Sequence, residues 1–214
     1  MKKIFFTLSA VAVCFASCKK EQKMDSEEPM MKDTVPTEEP APMAEMDSAT
    51  VANAWMEYMT PGEAHKMMAN EEGNWNCDMT FWMGPDAPPQ KETSSCEIKM
   101  ILDGRYQQST YTGNMMGMPF EGISTVAYDN ATNEYVSTWI DNMGTGMMVM
   151  RGTFNGNTRT TTLNGTMVDP VTKTVKEVRE LYDIVDENTR KMQMFETPKG
   201  GKKYKSMEII LTRK

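Results

Sequence analysis

Cys96-Glu97-Ile98-Lys99-Met100-Ile101-Leu102-Asp103-Gly104-Arg105-Tyr106-Gln107-Gln108-Ser109-Thr110-Tyr111 places one Asp-Gly pair between two runs of alternating character. That is the sequence form of a tight β-hairpin, because a two-residue type I′ turn needs positive φ at both central positions and Asp-Gly supplies it. A tight turn also fixes register. Leu102 then opposes Arg105, Met100 opposes Gln107, Ile98 opposes Ser109 and Cys96 opposes Tyr111. One face of the hairpin therefore carries Ile98 and Met100 together with Arg105, Gln107, Ser109 and Tyr111.

Outward from this hairpin the period stays at two. Strands are predicted over 73–82, 93–102, 105–113, 119–128, 134–141, 145–154, 157–166, 173–185, 189–196 and 203–213. Turn-formers separate them, among them Asp129-Asn130, Asn155-Gly156-Asn157, Asp169-Pro170 and Lys199-Gly200-Gly201. No long helix is available for crossovers, so the strands should form an antiparallel meander. About ten such strands close into a barrel or fold into a sandwich, since closure removes sticky sheet edges.

Ahead of the strands, Ala52, Trp55, Met56 and Met59 recur at helical spacing behind Ser48, a candidate N-cap. Thr60-Pro61-Gly62-Glu63 has the form of a capping box with Pro at the first helical position, opening a second short helix. Both helices are expected to pack on an open end of the barrel. Residues 18–49 are rich in Glu, Asp and Pro without apolar period, and read as a disordered acidic tether.

Met1-Lys2-Lys3 followed by the apolar run Ile4 to Val13 reads as a signal peptide over 1–17, too short to anchor a chain across a bilayer. Phe15-Ala16-Ser17-Cys18 resembles the lipobox of bacterial lipoproteins, with Phe15 in place of the usual Leu. The resemblance implies a lipid on Cys18 and a membrane-anchored protein of the cell envelope, since several acyl chains hold a protein where one does not. Lys19, by similarity to enterobacterial sorting, favours the outer membrane. The folded domain then spans 50–214.

The formal charge is −7, and Lys2 and Lys3 would leave with the signal peptide. Such acidity argues against nucleic acid and against electrostatic adhesion to anionic lipid. Oligomeric state is not legible. No cofactor motif stands out: a phosphate-cradling glycine loop, a Gly-x-Ser-x-Gly elbow and a histidine pair are all missing from the sequence. The single histidine, His65, completes no triad, so the chain reads as no enzyme.

Gly73-Asn74-Trp75 at the first strand and Arg213 in the last resemble the lipocalin and fatty-acid-binding-protein superfamily. There an Arg from the last strand stacks on the Trp and plugs one end of the barrel. A longer resemblance covers about Pro61 to Lys214. Pro61-Gly62-Glu63-Ala64-His65-Lys66, Phe81-Trp82-Met83-Gly84-Pro85, Met115-Met116-Gly117-Met118-Pro119-Phe120-Glu121-Gly122 and Tyr135-Val136-Ser137-Thr138-Trp139-Ile140-Asp141-Asn142-Met143-Gly144 are similar to the bacterial family called domain of unknown function 1579. This implies a lipocalin-like all-β barrel and no particular activity.

Trp75, Cys77, Met79 and Phe81 share a strand face. If Met79 lies near Ser94, Cys77 comes opposite Cys96, and an exported, oxidising setting makes a Cys77–Cys96 disulfide the expected outcome, with two buried thiols as the alternative. The mixed inner face has two readings. Arg105, Gln107, Ser109 and Tyr111, with Trp139 nearby, orient a small amphipathic or apolar ligand in a cavity. Otherwise Arg105 pairs with Glu121 or Asp141 inside a solid core, leaving a structural or interaction protein of the envelope. A third reading is an uncharacterised enzyme using His65 with Glu63 or Glu72 for acid–base work, and a fourth comes from the 24 methionines, because thioethers select Cu(I). Met115, Met116, Met118 and Met143 would be its ligands if their loops adjoin, although Met also serves simply as core filler.

Overall fold

The computed structural model describes Met46–Lys214. The signal peptide, Cys18 and almost all of the tether lie outside the described residues. Ten antiparallel strands form one closed barrel: β1 (Gly73–Phe81), β2 (Gln90–Ile101), β3 (Tyr106–Met115), β4 (Met118–Asp129), β5 (Glu134–Asp141), β6 (Met148–Asn155), β7 (Thr160–Val168), β8 (Val175–Ile184), β9 (Thr189–Thr197) and β10 (Tyr204–Arg213). Each strand pairs with its neighbours in sequence, and β1 pairs with β10 to complete the ring. The meander and its closure follow from short turns that leave no room for a crossover.

The Asp-Gly hairpin sets the register as the sequence predicts, with Cys96 opposite Tyr111, Ile98 opposite Ser109 and Met100 opposite Gln107. Its turn is wider than a two-residue reversal. Ile101 and Tyr106 are the closing pair, and Leu102, Asp103 and Gly104 all take positive φ, at 50°, 56° and 79°. Arg105 therefore belongs to the turn and leaves the pleat. It is 41 % exposed, hydrogen-bonds to the Leu102 carbonyl and lies 3.8 Å from Asp103. The expectation that Arg105 faces the interior, toward a ligand or toward Glu121 or Asp141, is corrected on that ground.

The register of β1 against β2 differs from expectation by two residues. β2 starts at Gln90, so Phe81 pairs with Gln90, Cys77 with Ser94 and Trp75 with Cys96. An even slip keeps both cysteines on the inner face but makes them diagonal neighbours. Cys77 and Cys96 are two buried free thiols rather than the expected disulfide.

Two helices precede the barrel. α1 (Ser48–Met59) is capped by Asp47, not Ser48: the Asp47 carboxylate accepts the Ala49 and Thr50 N–H groups at 3.0 Å. None of its residues is buried, and it is tied down at its C-terminal end, where the Asn130 side-chain amide donates to the carbonyls of Glu57, Tyr58 and Thr60. α2 (Glu63–Ala69) starts two residues later than a Thr60 capping box would place it. Gly62 is its N-cap, and the ring of His65 reaches back so that Nδ1 accepts the Gly62 N–H at 3.0 Å. Only α2 packs on the barrel, through buried Met68 and His65.

The core occupies the barrel interior in two clusters. One centres on Trp75, Cys77, Cys96, Ile98 and Leu211, and the other on Met68, Tyr135, Met150, Leu163 and Val178. Met192 and Met207 pack against both clusters, which together leave part of the interior unfilled.

Candidate ligand-binding cavity

One end of the barrel is sealed by a polar network built around Trp75, which is fully buried. Gly73 enters β1 at φ 126°, a conformation that a side chain would strain, and a Cβ there would lie 3.2 Å from Arg213 Nη1. Trp75 Nε1 donates to the Glu71 carbonyl at 2.9 Å. Arg213, its partner across β1 and β10, lies over the ring at 4.3 Å from the centroid and donates to the Glu72 and Asn70 carbonyls. Arg190 approaches the same ring at 5.3 Å.

Beneath this plug, Glu71 gathers the interior's polar groups. Arg190 Nε donates to Glu71 Oε1 at 2.7 Å, while Gln107 Nε2 and Tyr182 Oη donate to Oε2 at 3.1 and 3.2 Å. Gln107 donates also to the Met68 carbonyl, which fastens α2 to β3. Burial and the adjoining Glu71 carboxylate raise the Tyr182 hydroxyl well above its ordinary range, so it donates and does not ionise.

Above the floor lies a cavity of about 700 Å³. Twelve of the residues that line it are methionines, from α2, six strands and the β5–β6 loop, accompanied by Phe81, Tyr111, Phe120, Tyr135, Trp139 and Tyr182. Ser109 and Ser137 are buried in its walls. Tyr111 stands edge-on to Trp139 at 5.4 Å, and its hydroxyl is held well above the usual range by burial. Trp139 Nε1 donates to Asp141 Oδ2 at 2.6 Å, and Phe120 stacks on the other side of its ring. Gly122 makes this possible: a Cβ there would come within 2.4 Å of the Trp139 ring.

The end opposite the plug is rimmed by loops whose apolar residues line the cavity mouth and stay partly exposed, with Met147 63 % exposed and Met143 40 %. Among the described residues, the cavity lining holds four carboxylates, Glu71, Asp141, Glu180 and Glu196, and no Lys, Arg or His. Glu196 is paired with Lys176 at 2.6 Å and accepts from Tyr204 at 3.0 Å, and Asp141 accepts from Trp139 and from the Met143 N–H. Glu180 is different: it lies inside the barrel with no hydrogen-bond or ion-pair partner among the described residues, and burial pushes its carboxyl up to about 7.

Of the residues singled out in the sequence, the structure brings Gln107, Ser109, Tyr111 and Trp139 to the cavity and leaves Arg105 outside it. Trp75 and Arg213 meet at the plug. Cys77 and Cys96 are buried neighbours that act on each other: Cys96 lowers the Cys77 thiol, while Cys77 and burial raise the Cys96 thiol. Of the four methionines considered for copper, Met115 and Met143 line the cavity, whereas Met116 and Met118, exposed at 59 % and 48 %, do not.

Glu71, Arg190 and Glu180 were not singled out. Glu180 could have been, because Val178, Tyr182 and Ile184 place it on an apolar strand face at period two. Leu181, on the opposite face, blurs that period. Glu71 carries no such signal, since it follows a helix end and acts through contacts 36 to 119 residues away.

A family model described as "Protein of unknown function (DUF1579)" matches residues 60–213, which contain the whole barrel and α2. A search of curated proteins finds no match.

Proposed function

The chain belongs to this family, so its role has to be read from the barrel interior, and we propose that the domain binds a small apolar or amphipathic molecule there without transforming it. The observation that carries this reading is the cavity of about 700 Å³. Its size lies within the roughly 300–1,000 Å³ of small-molecule sites, and apolar walls with a few directed polar groups are how such sites are made. Methionine suits the task because an unbranched, polarisable thioether reshapes itself around different apolar surfaces. Gln107, Ser109, Tyr111 and Trp139 supply the polar groups along one side.

Binding without turnover is supported by how the reactive groups are engaged. His65 caps α2 and is edge-on to Tyr128, so it is not oriented toward a nucleophile. The floor carboxylate Glu71 is held by Arg190, Gln107 and Tyr182. A lipid on Cys18 would station this container at a membrane surface of the cell envelope, next to a supply of apolar molecules. The test is to purify the protein from its own envelope, extract it with organic solvent and analyse the extract by mass spectrometry, beside native mass spectrometry of the intact protein. A stoichiometric apolar adduct is expected. A native mass equal to that of the bare chain, together with no uptake of added apolar probes, would overturn the reading.

A further inference from the structure

We propose that Glu180 anchors the cationic nitrogen of an amphipathic ligand whose apolar part lies along the methionine walls. This inference rests on the cavity being a binding site and adds the class of ligand.

Glu180 stands on the inner face of β8 between Leu163 of β7 and Met194 of β9, with Val178 and Tyr182 before and after it on its own strand face. Part of its surface remains accessible, and that surface faces the cavity, because the barrel encloses the residue on its other sides. No hydrogen bond or ion pair reaches its carboxyl from the described residues. The other carboxylates of the lining are engaged by Arg190, Lys176 or Trp139. A carboxylate that faces an apolar cavity without a partner is poorly stabilised, and a cation brought in by a ligand removes that cost.

The rest of the lining has the matching sign. With four carboxylates and no basic side chain along the described walls, an anionic headgroup such as a fatty-acid carboxylate meets only repulsion inside. Arg190 does not relieve this, since it is occupied by Glu71 and by the Asp186 and Thr189 carbonyls. A quaternary ammonium or a protonated amine on an aliphatic chain fits both features. The affinity should also depend on pH, because the cation pairs with the ionised form of Glu180. The ionisable groups that share the cavity with it are Glu71, Tyr111, Tyr135, Asp141, Tyr182 and Glu196, while the flanking residues of β7 and β9 carry no charge.

The test compares three probes of one chain length, dodecyltrimethylammonium, dodecanol and dodecanoate, by calorimetric titration below their micellar concentrations. The protein is the full chain carrying Cys18→Ser, handled without detergent. At pH 8 the ammonium should bind about tenfold or more tighter than the alcohol, as a charge-assisted contact is worth roughly 1.5–3 kcal/mol. The carboxylate should bind weakest. Glu180→Gln should erase the preference for the ammonium and keep the alcohol's affinity. In the unsubstituted cavity the ammonium's advantage should fade as pH falls from 8 to 5, a measurement that holds even if the variant folds poorly. Equal binding of alcohol and ammonium at pH 8, or a preference that survives Glu180→Gln, overturns the headgroup assignment and leaves the cavity reading standing. Failure of all three probes to bind overturns both.

Discussion

Arg190 and Glu71 meet at 2.7 Å with both side chains more than nine-tenths buried, 119 residues apart in sequence, and this contact joins the last hairpins of the barrel to the turn two residues past α2. Each ion is fully partnered: Glu71 accepts from Arg190, Gln107 and Tyr182, and Arg190 donates also to the carbonyls of Asp186 and Thr189. Removing one partner leaves the other charge buried and unpaired. Glu71→Ala should therefore cost about 3–5 kcal/mol in urea unfolding. The pair Glu71→Leu with Arg190→Met should recover most of that loss, because two apolar side chains need no partners. A single-variant cost below about 1 kcal/mol would mean that water reaches the floor.

Gly122→Ala tests how the wall is built. A methyl group at this position collides with the Trp139 ring, whose other contacts, Asp141 and Tyr111, hold it in place. Overpacking of this kind costs roughly 1–3 kcal/mol. The expected outcome is a lower unfolding midpoint together with weaker uptake of an apolar probe. Unchanged tryptophan fluorescence and unchanged uptake would show that the ring moves aside freely.

The two inner thiols give a simple count. Cys77 and Cys96 are each about 1 % exposed and unbridged. A thiol reagent should find none in the native protein and two per chain once it is unfolded without reductant, with the two N-terminal cysteines, Cys14 of the apolar leader and Cys18, replaced by Ser. No reaction after unfolding would show that they are bridged in solution.

The barrel was legible because its signals are local. Asp103-Gly104, Asp129-Asn130 and Asn155-Gly156-Asn157 mark reversals, and alternation between them fixes faces, so ten strands follow from segments of about ten residues each. Finer geometry depends on details that period two does not record. A turn of four residues instead of two preserves the register of β2 with β3 yet removes Arg105 from the inner face. A strand that begins at Gln90 shifts Cys77 from Cys96 to Ser94 without changing its face. The polar floor was illegible for another reason: Glu71, Gln107, Tyr182 and Arg190 come from four separate parts of the chain, and only closure brings them together.

The proposed lipid anchor on Cys18 has its own test. With Cys18 acylated, the protein should partition into the detergent-rich phase and incorporate labelled palmitate. Cys18→Ser should abolish both and leave barrel stability unchanged. Continued partitioning of that variant would point to another means of attachment.

Glu180 also makes stability depend on pH, with a sign that follows from its environment. Its carboxyl titrates near 7 in the folded barrel against an ordinary 4.5, so between those values the native state holds a proton that the unfolded chain has released. Stability from this group is complete below pH 4.5 and is lost as pH rises through 7. His65 acts in the opposite sense: burial and Arg105 lower it from 6.5, so its contribution is complete above pH 6.5 and declines in acid. Glu180→Leu separates the two, because leucine carries no proton and leaves His65 untouched. The variant's stability relative to the parent should increase steadily from pH 5 to pH 7 and then level off, as read from urea midpoints across that range. A difference that does not change with pH would mean that Glu180 is solvated or paired inside the barrel.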